Sequence, residues 1–233
     1  LIHRARRWLR KAIVTHFGNR LTEVYHRGSG ARRFSPDARS AGERALRIAV
    51  LSLLAARGQP ADIERAARHF REARNATDEI GALAILSTLT GPERADAFDR
   101  FYARWKNDHL VLNSWFGFQA AAPLSTTLRT VKQLTAHPKF SMRNPNNVYA
   151  LIGTFAGSNP LQFNRPDGKG YDFVAGKILE LDKTNPQVAA RMLSAFRSFR
   201  TLEIGRRRIA LRALQQIAST PDLSNDVHEI VSK

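Results

Sequence analysis

The sequence has no cysteine at all and only two methionines in 233 residues. Disulfide frameworks, thiolate zinc sites and cysteine nucleophiles are therefore excluded, and the absence suits a reducing, cytoplasmic setting. Long apolar runs are also missing. None approaches the ~20 residues that span a bilayer, and Arg4, Arg6, Arg7, Arg10 and Lys11 interrupt the apolar residues near the start, so no secretory leader is legible there. Acidic residues are scarce: 20 Asp and Glu against 37 Lys and Arg leave a net charge of +17. The excess is uneven. Residues 1–33 carry nine basic residues against one acid (Glu23), residues 34–133 fourteen against eleven, and residues 134–233 fourteen against eight. Such a field draws polyanions or anionic surfaces, or is one side of an interface with an acidic partner. Leu1 stands where an initiator Met is expected, so either a leader was removed or the chain is a piece of something larger.

Runs of alternating apolar and polar residues are absent as well, and no hairpin signal occurs. What is present is helical. In residues 1–17 the side chains of Leu1, Ala5, Trp8, Leu9, Ala12, Ile13 and Phe17 fall on one face, with Gly18 read as the stop. Ser35-Pro36 reads as the start of a long helix. Gln59-Pro60 opens another, with Ile63, Ala66, Ala67 and Phe70 on one side. Thr77-Asp78-Glu79 and Pro92 open the next two. Asn144-Pro145 and Asn185-Pro186 each pair a capping Asn with Pro at the first helical position. Ile204–Ala218 and Ser224–Ser232 are the last two helices. At 43% apolar residues the chain can bury a core. The expectation is an all-α fold: an irregular α-α superhelix or solenoid of about a dozen helices joined by short loops, resembling ARM or HEAT arrays, in a single domain over 1–233 with a basic N-terminal portion over 1–34.

Catalytic signatures are broken or absent. Among seven histidines only His228 precedes a Glu, and the partner position of an HExxH pattern is Ser232. His228-Glu229 therefore reads as a solvent-facing pair, and no metal set can be assembled. Asp167-Gly168-Lys169-Gly170 lacks both the spacing and the preceding strand of a phosphate loop and reads as a turn before a helix. Two basic stretches, Arg4 to Lys11 and Arg206-Arg207-Arg208, are read as solvated faces over phosphate-binding patches. Trp8, in phase with Leu1 and Ala5, is expected to point into the core. The most unusual stretch is Phe140 to Pro160, where Arg143, Asn144, Asn146 and Asn147 supply a polar excess hard to assign to a core. Further on, Gln187 and Arg191 share one helix face at i,i+4.

Four runs carry a resemblance: Phe140-Ser-Met-Arg-Asn-Pro-Asn146, Leu151-Ile-Gly-Thr-Phe-Ala-Gly-Ser-Asn-Pro160, Asp167-Gly-Lys-Gly-Tyr171 and Asn185-Pro-Gln-Val-Ala-Ala-Arg-Met192. Together with His69 to Asp78 and Leu110 to Phe116, they closely resemble the C-terminal region of the bacterial alanyl aminopeptidase N family, gluzincin-type zinc metallopeptidases. The likeness is strongest over 35–233. It implies a helical superhelix that carries no zinc ligand, closes over the active site of a preceding catalytic domain of the same polypeptide, and lines its substrate channel. Zinc, the general-base Glu and the substrate motif then belong to the parent's earlier domains; this chain holds no cofactor. The resemblance places Gln187 and Arg191 on the substrate side, together with Tyr149, which stands where some relatives carry Arg. It implies peptide substrates, a cytoplasmic setting, no membrane partner and no specific nucleic acid. The alternative is a basic helical-repeat module that binds nucleic acid or protein partners.

Overall fold

A computed structural model describes residues 2–27 and 34–232. Within them there are fourteen α-helical segments and no strand, as the helical periodicity predicts. The chain divides into two compact units, Leu1–Asn107 and Asp108–Lys233.

The first unit comprises α1 (Ile2–Arg27), α2 (Ala38–Ala55), α3 (Pro60–Arg71), α4 (Ala76–Ser87) and α5 (Pro92–Trp105). Capping fixes where they begin. Asp37 Oδ1 accepts from Ser40 N at 2.9 Å, so α2 starts two residues later than Ser35-Pro36 suggests. Asn75 Oδ1 accepts from Asp78 N at 2.9 Å and starts α4. Pro60 and Pro92 occupy first-turn positions, where a missing N–H leaves nothing unsatisfied. Val14, Leu51, Leu54, Ala66, Phe70, Leu83, Leu86 and Phe101 close the core.

Two expectations fail in α1, and for related reasons. Gly18 does not stop the helix; it is buried within it. A Cβ there would lie 3.0 Å from the Arg57 guanidinium, so the glycine makes room for that side chain. Trp8 does not enter the core; it is 71% exposed, because the side that packs carries Val14, Gly18 and Tyr25 instead. The glycine-containing turn at Gly28-Ser29-Gly30 lies outside the described residues.

The second unit comprises α6 (His109–Ala121), α7 (Thr127–Leu134), α8 (Pro145–Val148), a π-helical turn (Tyr149–Gly153), α9 (Thr154–Ser158), α10 (Pro160–Phe163), α11 (Lys169–Asp182) and α12 (Pro186–Met192). Two 3₁₀ turns (Leu193–Phe196 and Phe199–Thr201), α13 (Ile204–Ala218) and α14 (Asn225–Val231) complete it. Rings dominate its core: Phe163 packs edge-on against Tyr171 at 5.0 Å and Phe196 at 5.2 Å between centroids, and Phe116 against Phe140 at 5.8 Å. Such pairs add about 0.5–1.5 kcal/mol each beyond the area they bury.

The asparagines of the Phe140 to Pro160 stretch prove to be divided. Asn147 is buried; it donates to Asn113 Oδ1 at 2.9 Å and accepts from Ser141 N at 3.1 Å. Asn159, 1% exposed, donates to the carbonyls of Ala120 and Ala122 at 2.9 and 2.8 Å, fixing the end of α6 where Pro123 stops it. Asn144 caps α8 through Asn146 N at 3.0 Å.

Candidate functional site

The three residues singled out from the sequence sit on neighbouring parts of the second unit. Asn185 Oδ1 accepts from Val188 N at 3.2 Å and starts α12, whose Val188, Ala189 and Met192 are buried. That leaves Gln187 and Arg191 on the opposite, exposed side. Across from them the chain that begins at Asn144-Pro145 runs as one helix from Pro145 to Ser158, widened over Tyr149–Gly153 into a π-helical turn. Turns of this kind sacrifice regular hydrogen bonding and recur at functional sites. Here Thr154 Oγ1 donates to the Tyr149 carbonyl at 3.2 Å.

Tyr149 opens the π-helical turn, half-buried, and the Arg191 guanidinium lies over its ring, 5.1 Å from the centroid. A cation over a phenol face at an exposed site gains about 0.5–1 kcal/mol, enough to bias the arginine's rotamer without consuming its N–H donors. Gly153 completes the contact from below: a Cβ there would stand 3.7 Å from both Met192 Sδ and the Tyr149 ring. Tyr149 and Arg191 are thus brought together. Gln187 shares their side of α12 through its spacing but makes no hydrogen bond with another described residue.

Two shallow clefts border the same stretch, and sequence patterning did not single them out. One, of about 440 Å³, is lined by Asn113, Ser114, Gly117, Phe118, Ala150 and Thr154. The other, of about 320 Å³, is lined by Ala156, Gly157, Phe163, Asn164, Ser194 and Arg197. Their signal in the sequence is the set of small residues Ala150, Thr154, Ala156, Gly157 and Ser158 after an Asn-Pro helix start.

The remaining candidates resolve into structural roles. Asp167 lies at the start of α11, where an anion would have to sit: its carboxylate is held by Arg165 at 2.8 and 2.9 Å and accepts from Lys169 N at 3.2 Å. Arg165 holds that carboxyl below its ordinary range. Gly170 is required because a Cβ would come within 2.3 Å of the Phe163 carbonyl. The basic triplet is split. Arg206 donates to the Asn164 carbonyl at 2.6 Å and pairs with Glu203 at 3.0 Å, while Arg207 and Arg208 stay exposed. His228 is exposed on α14, and no three His, Asp or Glu side chains converge among the described residues. The donor set of a zinc site is therefore not assembled from them.

In the first unit a buried polar chain links four helices. Tyr25 Oη and His69 Nδ1 are 2.9 Å apart, His69 Nε2 is 3.5 Å from Asp78 Oδ1, and Arg47 and Asn75 donate to Asp78 Oδ2 at 2.6 and 2.8 Å. Burial alone would raise the Asp78 carboxyl, but His69, Arg47 and Asn75 around it hold it well below the usual carboxylate range.

An all-α array without a strand among its described residues, in which one helix widens into a π-helical turn under an arginine, defines a helical-repeat domain. The domain family described as "Domain of unknown function (DUF3458_C) ARM repeats" matches residues 1–233, and the chain belongs to it. Its likeness to the C-terminal part of aminopeptidase N holds end to end. It is 38% identical to aminopeptidase N of Caulobacter vibrioides over 232 residues and 32% identical to that of Escherichia coli over 233, in each case 100% of this chain and 27% of the relative. Among solved structures it resembles that described as Legionella pneumophila aminopeptidase A in complex with aspartic acid, with a TM-score of 0.90 and 30% identity over 99% of this chain and 28% of that one. The chain thus spans about a quarter of the length of the relatives it matches.

Proposed function

We propose that this chain is the non-catalytic C-terminal domain of a zinc aminopeptidase, where it caps the active site and lines the channel through which a peptide reaches it. The observation that carries the reading is the end-to-end match to one quarter of aminopeptidase N by a domain whose described residues assemble no metal donor set. Zinc and the proton-transferring residues then lie in the remainder of the polypeptide, which is this domain's partner. The reading places the parent in the cytoplasm; no helix among the described residues is long and apolar enough to cross a membrane.

The arrangement at α12 suits a channel wall. Arg191 is exposed, so its fork is free to meet a carboxylate or a carbonyl, while Tyr149 restricts its orientation. Pre-orientation of a planar donor lowers the entropy lost on binding. Gln187, one turn earlier, offers a neutral amide to the same space. The small side chains of Ala150, Thr154, Ala156 and Ser158 and the bare Gly157 leave room for an extended backbone. A lid of this kind also excludes water, and each polar contact to substrate strengthens as the local dielectric falls.

The test is kinetic and uses the full-length parent. A charge-assisted contact from Arg191 to the substrate's downstream end is worth about 1.5–3 kcal/mol, so Arg191→Ala lowers kcat/KM on tripeptides by roughly 10–100-fold. Small chromogenic amides, which have no downstream residue, suffer less. Gln187→Ala shifts preference among N-terminal side chains. Equal kcat/KM for wild type and Arg191→Ala on tripeptides sinks the assignment. The basic helical-repeat alternative predicts instead tight binding to a specific nucleic acid in physiological salt, since phosphate attraction alone gives weak, sequence-indifferent binding.

A further inference from the structure

α1 carries apolar residues on two sides, and only one of them is packed among the described residues. Val14, Gly18 and Tyr25 pack inward, and Arg10 ties that side to α2 by donating to the Ser52 carbonyl at 2.8 Å and its hydroxyl at 2.6 Å. Leu9 precedes Gly18 by nine residues, about two and a half turns, which places it on the far side of the helix. Ile2, about two turns before Leu9, lies on that far side as well. Trp8 and Phe17 flank them. These four side chains are 70% (Ile2), 71% (Trp8), 53% (Leu9) and 45% (Phe17) exposed. A helix that is apolar on both sides is built to lie between two layers, because leaving one side in water forfeits roughly 25 cal/mol per Å² of apolar area.

Charge says what kind of layer. By the same spacing Arg6 borders the exposed apolar residues, whereas Lys11, Arg7 and Arg4 lie two, three and four turns before Gly18 and so on its side of the helix; no acid occurs before Glu23. None of these four forms an ion pair with another described residue. The occupant is therefore an apolar surface with no positive charge where it meets Arg6. The matched relatives carry this helix within an alignment that uses 100% of the present chain, yet about three quarters of their own length lies outside it.

We propose that the outer face of α1, built on Ile2, Trp8, Leu9 and Phe17 with Arg6 at its edge, is the seam where this domain docks onto the remainder of the parent aminopeptidase polypeptide. The inference rests on the functional reading above and adds to it a named interface, in the first unit and separate in sequence from the Tyr149–Arg191 site. An anionic membrane surface is the competing occupant, since a basic helix with exposed Trp and Leu also suits lipid.

Hydroxyl-radical footprinting read by mass spectrometry resolves the choice residue by residue. Trp8, Leu9 and Phe17 are modified readily in the 233-residue chain and lose that modification in the full-length parent. Leu9→Asp lowers the melting temperature of the parent and leaves that of the 233-residue chain unchanged, because Leu9 is already in water there. Equal modification of Trp8 in both overturns the proposal. So does a parent in which Trp8 stays reactive but becomes protected on adding phosphatidylglycerol vesicles, which assigns the face to lipid. A parent that cleaves alanyl amides normally while Trp8 stays reactive refutes only the seam. A parent without amidase activity refutes the functional reading, and Trp8 protection still decides the docking.

Discussion

The two compact units solve the problem of buried polarity differently. The first buries charge. Asp62, fully buried, is held by Arg57 at 2.7 Å and by Arg65; Asp78 is held by Arg47 at 2.6 Å; Glu79, 5% exposed, accepts from Trp105 Nε1 at 3.2 Å. The second buries mainly neutral groups: Asn147 and Asn159 spend their amides on backbone or on another amide, and Asp182 accepts from Ser224 rather than from a cation. The difference teaches where stability is exposed to solution conditions. A buried ion pair is sensitive to pH and to loss of either partner, whereas a buried amide is sensitive to neither charge nor salt.

The largest effect is expected from breaking the first unit's pairs. Asp78→Ala leaves Arg47 without its carboxylate and costs about 3–5 kcal/mol. Hydrogen exchange should show the loss in α1 to α4 while α11 and α13 keep their protection; equal loss in both units breaks the comparison.

Acid should sharpen it. The folded-state pKa of Asp78 is depressed, so its contribution is present above the ordinary carboxylate value of about 4 and disappears as pH falls below that toward the folded pKa. The depressed carboxyls of the second unit, Asp167 and Glu203, are exposed and screened. Exchange measured down a pH series should therefore open the first unit first. Alkali acts on the second: burial pushes Tyr171 up to about 12, with Arg206 opposing and Glu203 adding. Keeping that phenol neutral stabilises the unit below the ordinary tyrosine value of about 10, and the gain is lost as pH rises toward 12.

A smaller loss follows from Asn159→Ala, which takes the side-chain donor from the buried Ala120 carbonyl and costs about 1–3 kcal/mol. The Ala122 carbonyl still accepts from Thr127 Oγ1 and Leu124 N, so the loss is that of the Ala120 carbonyl; it should appear as a shifted urea midpoint, with the second unit alone affected. The smallest effect on folding is that of Arg191→Ala. An exposed arginine on one ring contributes within about 0.5 kcal/mol, so a melting temperature unchanged beside a large kinetic loss separates function from stability at this residue.

Much of the fold was legible because helix starts are written in local chemistry. Asn144-Pro145, Asn185-Pro186, Gln59-Pro60 and Pro92 mark true starts, and Ile204–Ala218 matches α13 residue for residue. Choices between faces were not legible. Periodicity found the apolar stripe of α1 that holds Trp8, but a helix with two such stripes gives no local sign of which one packs. Gly18 shows the same limit, since a glycine that stops a helix and one that admits Arg57 look alike in sequence. At the candidate site the i,i+4 spacing put Gln187 and Arg191 on one side, and the resemblance supplied Tyr149. The widening of the helix at Tyr149–Gly153 has no local signature, and the stacking of Arg191 on Tyr149 joins residues 42 apart in sequence, which no local pattern encodes.

The central claim is that the Tyr149–Arg191 surface borders bound peptide in the parent enzyme, and crosslinking tests it most directly. The photoreactive amino acid benzoylphenylalanine is placed at position 149 of the full-length parent, and a radiolabelled, slowly cleaved peptide is bound and irradiated. Arg100, exposed on α5 of the first unit, is replaced in the same way as a control. The account predicts a covalent peptide adduct at position 149, abolished by excess unlabelled peptide and absent from the control. An enzyme that stays active and binds the peptide, yet forms no adduct at position 149, contradicts it.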